Sequence, residues 1–369
     1  MNSLMGVAKL MRLASEGITL QDLVNRAAHN PDPADMLMGL SFVFQLFGKR
    51  ENALDMQEKA LQFRRLFLLP AEKPKIRLLV LMQEGDMQDN TPVDFLLENA
   101  DVDLLLYYSS TSFPVPESIP EHDLLFVAIG ESSSSRELLE KIGVCLKEWP
   151  KRVLNSPENI PLLSRSALPS LLSSIDDLIV PKTARKARAD LASNKYPFIA
   201  RPLDAHAGRD LEKFDRAEDV ERYLSRVEGG LFYASEYVDY KSRDGLYRKY
   251  RIAVVEGLPY PCHMAISDHW MVSYRNAGME KSSEKRAMEA EFMSLFSFGK
   301  RHEKALKAIS ERVGLDYFVI DCGEHEGQLL LFEIDNRAYV HDMDSADLYP
   351  YKGPALRRLF DAFRNMLDH

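Results

Sequence analysis

Two hydrophobic periods divide this chain. Up to about residue 72 apolar positions recur at helical spacing. Thr19, with Asp22 three residues on, has the form of a capping box opening TLQDLVNRAAH, and Asn30 and Pro31 end that helix. Pro33 starts ADMLMGLSFVFQLFG, Gly48 closes it, and ENALDMQEKALQFRRLFLL follows with Leu54, Ala60, Leu61 and Phe63 among its apolar positions. After the linker AEKPK the pattern changes to short apolar runs alternating with helices. IRLLVLM, VDLLLYY, DLLFVAIG and KRVLN read as strands, and Ser135–Trp149 as a helix. Thr91 and Pro92 read as N-cap and first turn of a short helix. Such alternation predicts a small open parallel sheet.

From about residue 156 the character shifts again. NSPENIPLLSRSALPSLLSSIDDLIVPKT is expected to be helical up to Pro181. PFIARPLDAHAGRDLEKFD reads as strand, glycine-containing loop, strand, and FYASEYVDY and YRKYRIAVVEGLPYPCHMAIS as further strands. Lys281–Phe296 and His302–Val313 are expected helices, LDYFVIDCGEHEGQLLLFEID a pair of strands, and Gly353–Leu367 an amphipathic helix. The prediction is a mixed α/β (α+β) chain of three units: helical 1–72, a small α/β domain 75–155, and a larger domain 156–369.

Composition narrows the classes. The chain has 369 residues, 46% of them hydrophobic, which is enough for a large core. A net charge of −9 argues against a surface built for nucleic acid, though not against a local basic cleft. Cys145, Cys262 and Cys322 are widely spaced and odd in number, so free thiols in a reducing compartment are expected. Met1–Leu13 carries Lys9 and Arg12 inside its apolar pattern, unlike a secretory leader, and no apolar run approaches bilayer length. The expectation is a cytoplasmic protein with no membrane partner. There is no G-x-G-x-x-G, and no Ser-His-Asp or Cys-His set stands out. Ser132–Ser135 read either as an anion-holding helix start or as a solvated loop with an N-cap.

Chemistry concentrates near the C-terminal end. Asp321 closes one predicted strand, while Glu333 and Asp335 sit two apart on the next, so period two turns both the same way. Three converging acids repel unless a cation sits among them, and oxygen-only ligation suits magnesium, commonly a companion of nucleotide phosphates. Lys249 and Arg251 alternate on one strand and share a face, and Arg248 adds to a basic patch. Alternation turns Cys322 away from the acids.

In this order, VLNSPENI…LSRSALPSLL…LIVPKT, PFIARPLDAHAGRDL, ASEYVDY and GLDYFVIDCGEHEGQLLLFEID resemble the segments of an ATP-grasp protein related to RimK and glutathione synthetase. The resemblance spans roughly three-quarters of the chain. DYKSRDGLYRKYRI, HMAISDHWMVSYRNAGM and VHDMD resemble a narrower, little-characterised bacterial group that joins an ATP-grasp unit to a tetratricopeptide-like N-terminus. ALDMQEKAL resembles one degenerate repeat of that type, with an ordinary helical cap as the alternative.

The resemblance implies an ATP-grasp fold behind a pre-ATP-grasp domain, with ATP and magnesium, two ions, as cofactors. It implies Arg201 at the phosphates, where the family usually has lysine, and Gly208 in the phosphate loop, with His206 either phosphate-contacting or structural. Glu236, Tyr237 and Val238 would form the adenine hinge, and Arg251, beside Lys249, would reach the transferring phosphate. Arg275 and Asn276 would line the same cleft. Asp321, Glu333 and Asp335 match the metal end, where the family pattern Glu-x-Asn leaves open whether Asp335 or Asn336 completes the site. Arg337, His341, Asp342 and Asp344 would face the acceptor. The implied activity is an ATP-dependent carboxylate–amine ligase acting on small-molecule or peptide acids and amines. Phosphoryl transfer without ligation and a nucleotide-binding scaffold are the alternatives. The N-terminal helices would offer a groove for a peptide or protein partner, or a homodimer surface.

Overall fold

The structure, a computed structural model, describes residues 4–203, 205 and 208–369. Four helices open it: α1 (Val7–Ser15), α2 (Leu20–Ala28), α3 (Pro33–Leu46) and α4 (Arg50–Phe63). The Thr19–Asp22 capping box forms as expected, with the Asp22 amide 3.2 Å from the Thr19 hydroxyl. At α3, Asp32 caps the Asp35 amide at 2.9 Å and Pro33 occupies the first turn, where no amide is needed.

The helical reading of residues 64–69 gives way to a strand. Arg64 is extended, and β1 (Leu66–Leu69) pairs antiparallel with β3 of the first sheet. That pairing satisfies its backbone and buries Phe67 and Leu69, more than a continued helix would gain for LFLL. The first sheet contains β1, β2 (Ile76–Gln83), β3 (Val102–Ser109), β4 (Leu124–Val127) and β5 (Val153–Leu154) in the order β1-β3-β2-β4-β5. All but β1 run parallel, as the alternating pattern predicts. Between them lie α5 (Val93–Leu96) and α6 (Arg136–Leu146). Thr91 does not cap α5. Its hydroxyl donates instead to the Asn336 carbonyl at 2.7 Å.

The expected long helix over 156–181 is absent. A 3-10 turn (Ile160–Leu163), α7 (Leu168–Leu171) and strand β6 (Leu178–Ile179) replace it. Pro157, Pro161 and Pro169 interrupt any helix, and Ser174 and Asp177 take left-handed backbone. Beyond it β7 (Thr183–Ala187), β8 (Phe198–Pro202), β9 (Glu212–Phe214) and β10 (Leu231–Glu236) make an antiparallel sheet ordered β7-β10-β8-β9, covered by α8 (Ala217–Leu224). This lobe has its own core of Leu191, Phe198, Phe214, Val220, Tyr223 and Phe232.

The third sheet is ordered β12-β11-β13-β14-β6. It contains β11 (Tyr247–Val255), β12 (Leu258–Ser267), β13 (Tyr317–His325) and β14 (Gln328–Asp335), all antiparallel, with β6 parallel at the edge. Helices α9 (Ser283–Leu295), α10 (Ser297–Arg301), α11 (Glu303–Val313) and α12 (Lys352–Asn365) surround it. Its apolar side shares one continuous core with the first sheet and the N-terminal helices.

Asn155, fully buried just after β5, joins the first and third sheets. Its amide side chain donates to the Tyr317 carbonyl at 2.9 Å and accepts from the Tyr317 amide at 2.8 Å, while its own backbone N–H reaches Asp316 at 2.7 Å. Asn155→Ala leaves a buried N–H and a buried C=O unpaired. It should lower unfolding stability by about 2–4 kcal/mol in a denaturant titration; a change within experimental error would mean that this junction carries no load.

Candidate active site

The polar face of the third sheet holds one row of polar and charged side chains in register. Across β12, β11, β13 and β14 the directly opposed residues are His263, Arg251, Asp321 and Glu333. Opposed residues in an antiparallel sheet project to the same face, so these side chains line up along a floor. Register shifts adjoin the row on both sides, between Arg251 and Ile252 and between Asp321 and Cys322. Such bulges turn neighbouring side chains and increase local twist.

The geometry of the row is set by charge. Arg251 grips Asp321 with two parallel hydrogen bonds of 2.8 Å, and the Lys249 ammonium lies 2.7 Å from the same carboxylate. Asp321 is 2% exposed. Burial works against its charge, but Arg251 and Lys249 outweigh it and hold the carboxyl well below the usual carboxylate range. Arg251 also donates to the Tyr339 carbonyl at 3.3 Å. Arg248, just before Lys249 in sequence, faces the other way and pairs with Asp244 at 3.1 Å. The basic patch on this face is therefore Lys249 and Arg251 alone.

Glu333 is bonded to Arg165, and Asp335 accepts from the Arg337 backbone at 2.7 Å and its Nε at 3.1 Å. Each of the three carboxylates thus has a cation of its own. Among the described residues no group of three or more carboxylate, imidazole or thiol side chains is close enough to hold a metal ion as arranged. Asn336 turns from the row toward the first domain, where its side chain donates to the Ile129 carbonyl at 2.9 Å. Its Oδ1 is buried without a partner.

Arg201 on β8 belongs to the opposite sheet, is 8% exposed, and among the described residues bonds the Ala205 carbonyl. Its Nε has no partner among the described residues. Burial first, and the positive charge of Arg165 second, bring its pKa down to about 10. A buried guanidinium near another cation with an unused donor fits an anionic ligand. Gly208 has φ +76, a left-handed conformation suited to glycine, in the turn after β8. His206 lies outside the described residues.

Of the residues expected to form a hinge, Glu236 ends β10 exposed and Val238 is half-buried. Tyr237 lies edge-on to Trp270, and the Lys213 ammonium sits 4.5 Å from its ring centre. Arg275 is exposed, and Asn276 is engaged in its own loop, donating to Met271 at 2.8 Å and accepting from Ser273 at 2.8 Å. In the following segment His341 accepts from the Met343 amide at 3.3 Å, Asp342 binds Arg12 of α1 at 2.9 Å, and Asp344 binds Lys352 at 2.7 Å. Arg337 lies against Gly130, where a Cβ would fall 1.7 Å from the arginine Cδ, so only glycine admits this approach.

Two members of the site escape sequence reading. Arg165 sits in a run expected to be helical, and its partner is 168 residues away. His263 lies within an apolar strand, and only its register opposite Arg251 reveals it.

No protein-family model matches the chain, and no curated protein matches it. Among solved structures it is similar to the RimK domain ATP-grasp protein from Sphaerobacter thermophilus DSM 20745, at 14% identity and a TM-score of 0.45, over 79% of this chain and 100% of that one. It is similar to the D-alanine–D-alanine ligase of Bacillus anthracis, at 9% identity and a TM-score of 0.49, over 79% of this chain and 96% of that one. It is also similar to the ATP-grasp ligase PsnB in complex with a minimal precursor, Mg and ADP, at 14% identity and a TM-score of 0.44, over 79% and 98%.

Asp321→Ala leaves Arg251 and Lys249 facing each other on the floor without their carboxylate. Removing one partner of a buried pair costs about 3–5 kcal/mol. The variant should show that loss in a denaturant titration and no nucleotide-dependent turnover; full turnover would exclude Asp321 from the working site.

Proposed function

We propose that this chain is an ATP-grasp enzyme, an ATP- and magnesium-dependent carboxylate–amine ligase. The observation that carries the reading is the row Arg251–Asp321–Glu333 on one sheet, coupled through Arg165 to buried Arg201 on the other. Guanidinium groups from two facing sheets can bind a polyphosphate, and carboxylates on the floor can bind the ion that accompanies it.

The ligand set supports this in a definite way. Asp321, Glu333 and Asp335 provide only oxygen donors, the preference of magnesium, and each is now matched by a cation. A magnesium nucleotide can exchange partners with these pairs, phosphates taking the guanidinium groups and the ion taking carboxylates, without stranding a buried charge. Asp321, Glu333 and Asp335 would hold the magnesium, which when bound supplies charge stabilisation at the phosphates.

The chain's own residues do the rest. Arg201, Lys249 and Arg251 place fixed positive charge where negative charge develops as the phosphoryl group moves to a substrate carboxylate. The strand end Glu236–Val238, with the Tyr237 ring edge-on to Trp270, is the segment that would receive the base. The product of that transfer is an acyl phosphate and ADP. Attack by an amine on the acyl carbon then releases phosphate and leaves an amide.

The test is ADP release by the purified protein with MgATP and a panel of acids and amines, followed by mass spectrometry of the products. ADP formation that requires acid, amine and magnesium together, with an amide product, supports the ligase. Phosphorylated acid without amide would indicate phosphoryl transfer alone, and nucleotide binding without turnover a scaffold; either result would replace this reading.

A further inference from the structure

The floor row does not stop at Arg251. His263 continues it on β12, one strand beyond the arginine, with its Cα directly opposed to that of Arg251. It is half-buried, and among the described residues its ring nitrogens make no hydrogen bond. The ring rests instead against Tyr274, with centroids 5.1 Å apart.

Tyr274 is itself held in place. Its hydroxyl donates to Glu289 at 2.9 Å and accepts from the Lys352 ammonium at 2.6 Å. Glu289, fully buried, also accepts from the Tyr351 hydroxyl at 2.7 Å and from the Met264 amide at 3.1 Å, next to His263 on β12. Lys352 is fixed further by Asp344 at 2.7 Å and by the Tyr349 ring, whose centre lies 4.4 Å from the ammonium. This network joins β12, α9, the loop before it and the start of α12 around one imidazole. Among the described residues it leaves that imidazole's polar atoms without a hydrogen bond, while Tyr274, Glu289 and Lys352 bond one another.

The proposed function leaves one task unassigned: an amine arrives protonated at neutral pH and must lose protons to form an amide. Resting on that ligase reading, we propose that His263 is a further catalytic residue, the group that receives the acceptor amine and takes its proton. The amine nitrogen attacks the acyl carbon of the acyl phosphate. The ammonium first gives one proton to a ring nitrogen of His263; as the C–N bond then forms, the C–O bond to phosphate breaks, and phosphate leaves with that electron pair and takes the nitrogen's second proton. The position suits the role. His263 flanks Arg251 on the side away from Asp321, Glu333 and Arg165, so the acceptor would approach from the far end of the row from the nucleotide. Lys249 and Arg251 on β11, Asp321 on β13, Lys352 on α12 and Tyr274 from the loop bear on the ring. Burial first and then the arginine keep the resting imidazole uncharged and oppose its protonation; the negative charge of an acyl phosphate beside Arg251 offsets that opposition as the proton arrives.

Hydroxylamine separates the two half-reactions, because it is already unprotonated at neutral pH and traps acyl phosphates as hydroxamates. The probes are the proteinogenic amino acids and their N-acetyl forms as acids, with hydroxylamine or, in parallel, amino acids and putrescine as amines. In His263→Ala, amide formation should fall by about 10²-fold or more, the usual size of a lost general base. Hydroxamate formation should stay within about threefold. His263→Gln, closer in size, guards against a folding defect, and thermal protection by MgATP confirms an intact nucleotide site in both. Equal loss of both products, or loss of neither, overturns the assignment. If the wild-type protein gives no hydroxamate with any acid, the ligase reading itself fails, and the role of His263 falls with it.

Discussion

The bidentate pair between Arg251 and Asp321 is the contact on which the site depends. It joins two neighbouring strands by side chains as well as backbone, and it sets the orientation of the only fully buried carboxylate on the floor. A buried carboxylate is tolerated only with close charge compensation. Here Arg251 and Lys249 supply it from alternate positions of one strand, and Arg248, adjacent to Lys249, faces away by the same alternation. The same compensation, repeated by Arg165 on Glu333 and by Arg337 on Asp335, keeps like-charged groups ordered on one face. A cleft arranged this way is ready to exchange ion pairs with a ligand that carries both a polyanion and a cation.

The segment that follows β14 ties this cleft to the rest of the molecule. Asp335 and Arg337 belong to the floor, and Arg337 rests on Gly130 at the end of β4. Asn336 binds Ile129 and receives Thr91, Tyr339 donates to Met87 at 3.1 Å, and Asp342 reaches Arg12 in the first helix. Within eight residues the chain touches its helical N-terminus, its first sheet and its charged floor. The helical unit is therefore packed as part of one body with the first and third sheets, sharing their core, whereas the β7–β10 lobe packs about a core of its own.

Much of this was readable in advance where the information is local. The Thr19–Asp22 cap, the strand alternation of the first sheet, and the shared face of Lys249 with Arg251 all follow from neighbours within a few residues. Asp321, expected to close its strand, lies instead in the middle of β13, which runs on to His325 and sets Asp321 opposite Glu333. What failed depends on distant partners. LFLL reads as helix until β3 offers it a ladder, and Thr91 reads as a cap until an acceptor 245 residues later claims its hydroxyl. The stretch 156–181 carries enough apolar residues for a helix, but its prolines and left-handed residues leave only short turns. Three acids read as a bare cluster because the cation on Glu333, Arg165, lies far off in sequence. Charge compensation by remote residues is invisible to periodicity, which reports only the face a side chain occupies.

The central claim is that the floor's ion pairs are exchanged when a magnesium nucleotide binds. A crystal structure with magnesium and a non-hydrolysable ATP analogue measures this directly. The account predicts Arg251 and Arg201 on phosphate oxygens, with the Asp321 carboxylate released from Arg251 and on the metal. A nucleotide bound elsewhere, or bound in the cleft with the two 2.8 Å bonds between Arg251 and Asp321 intact and no ion on the row, would contradict it.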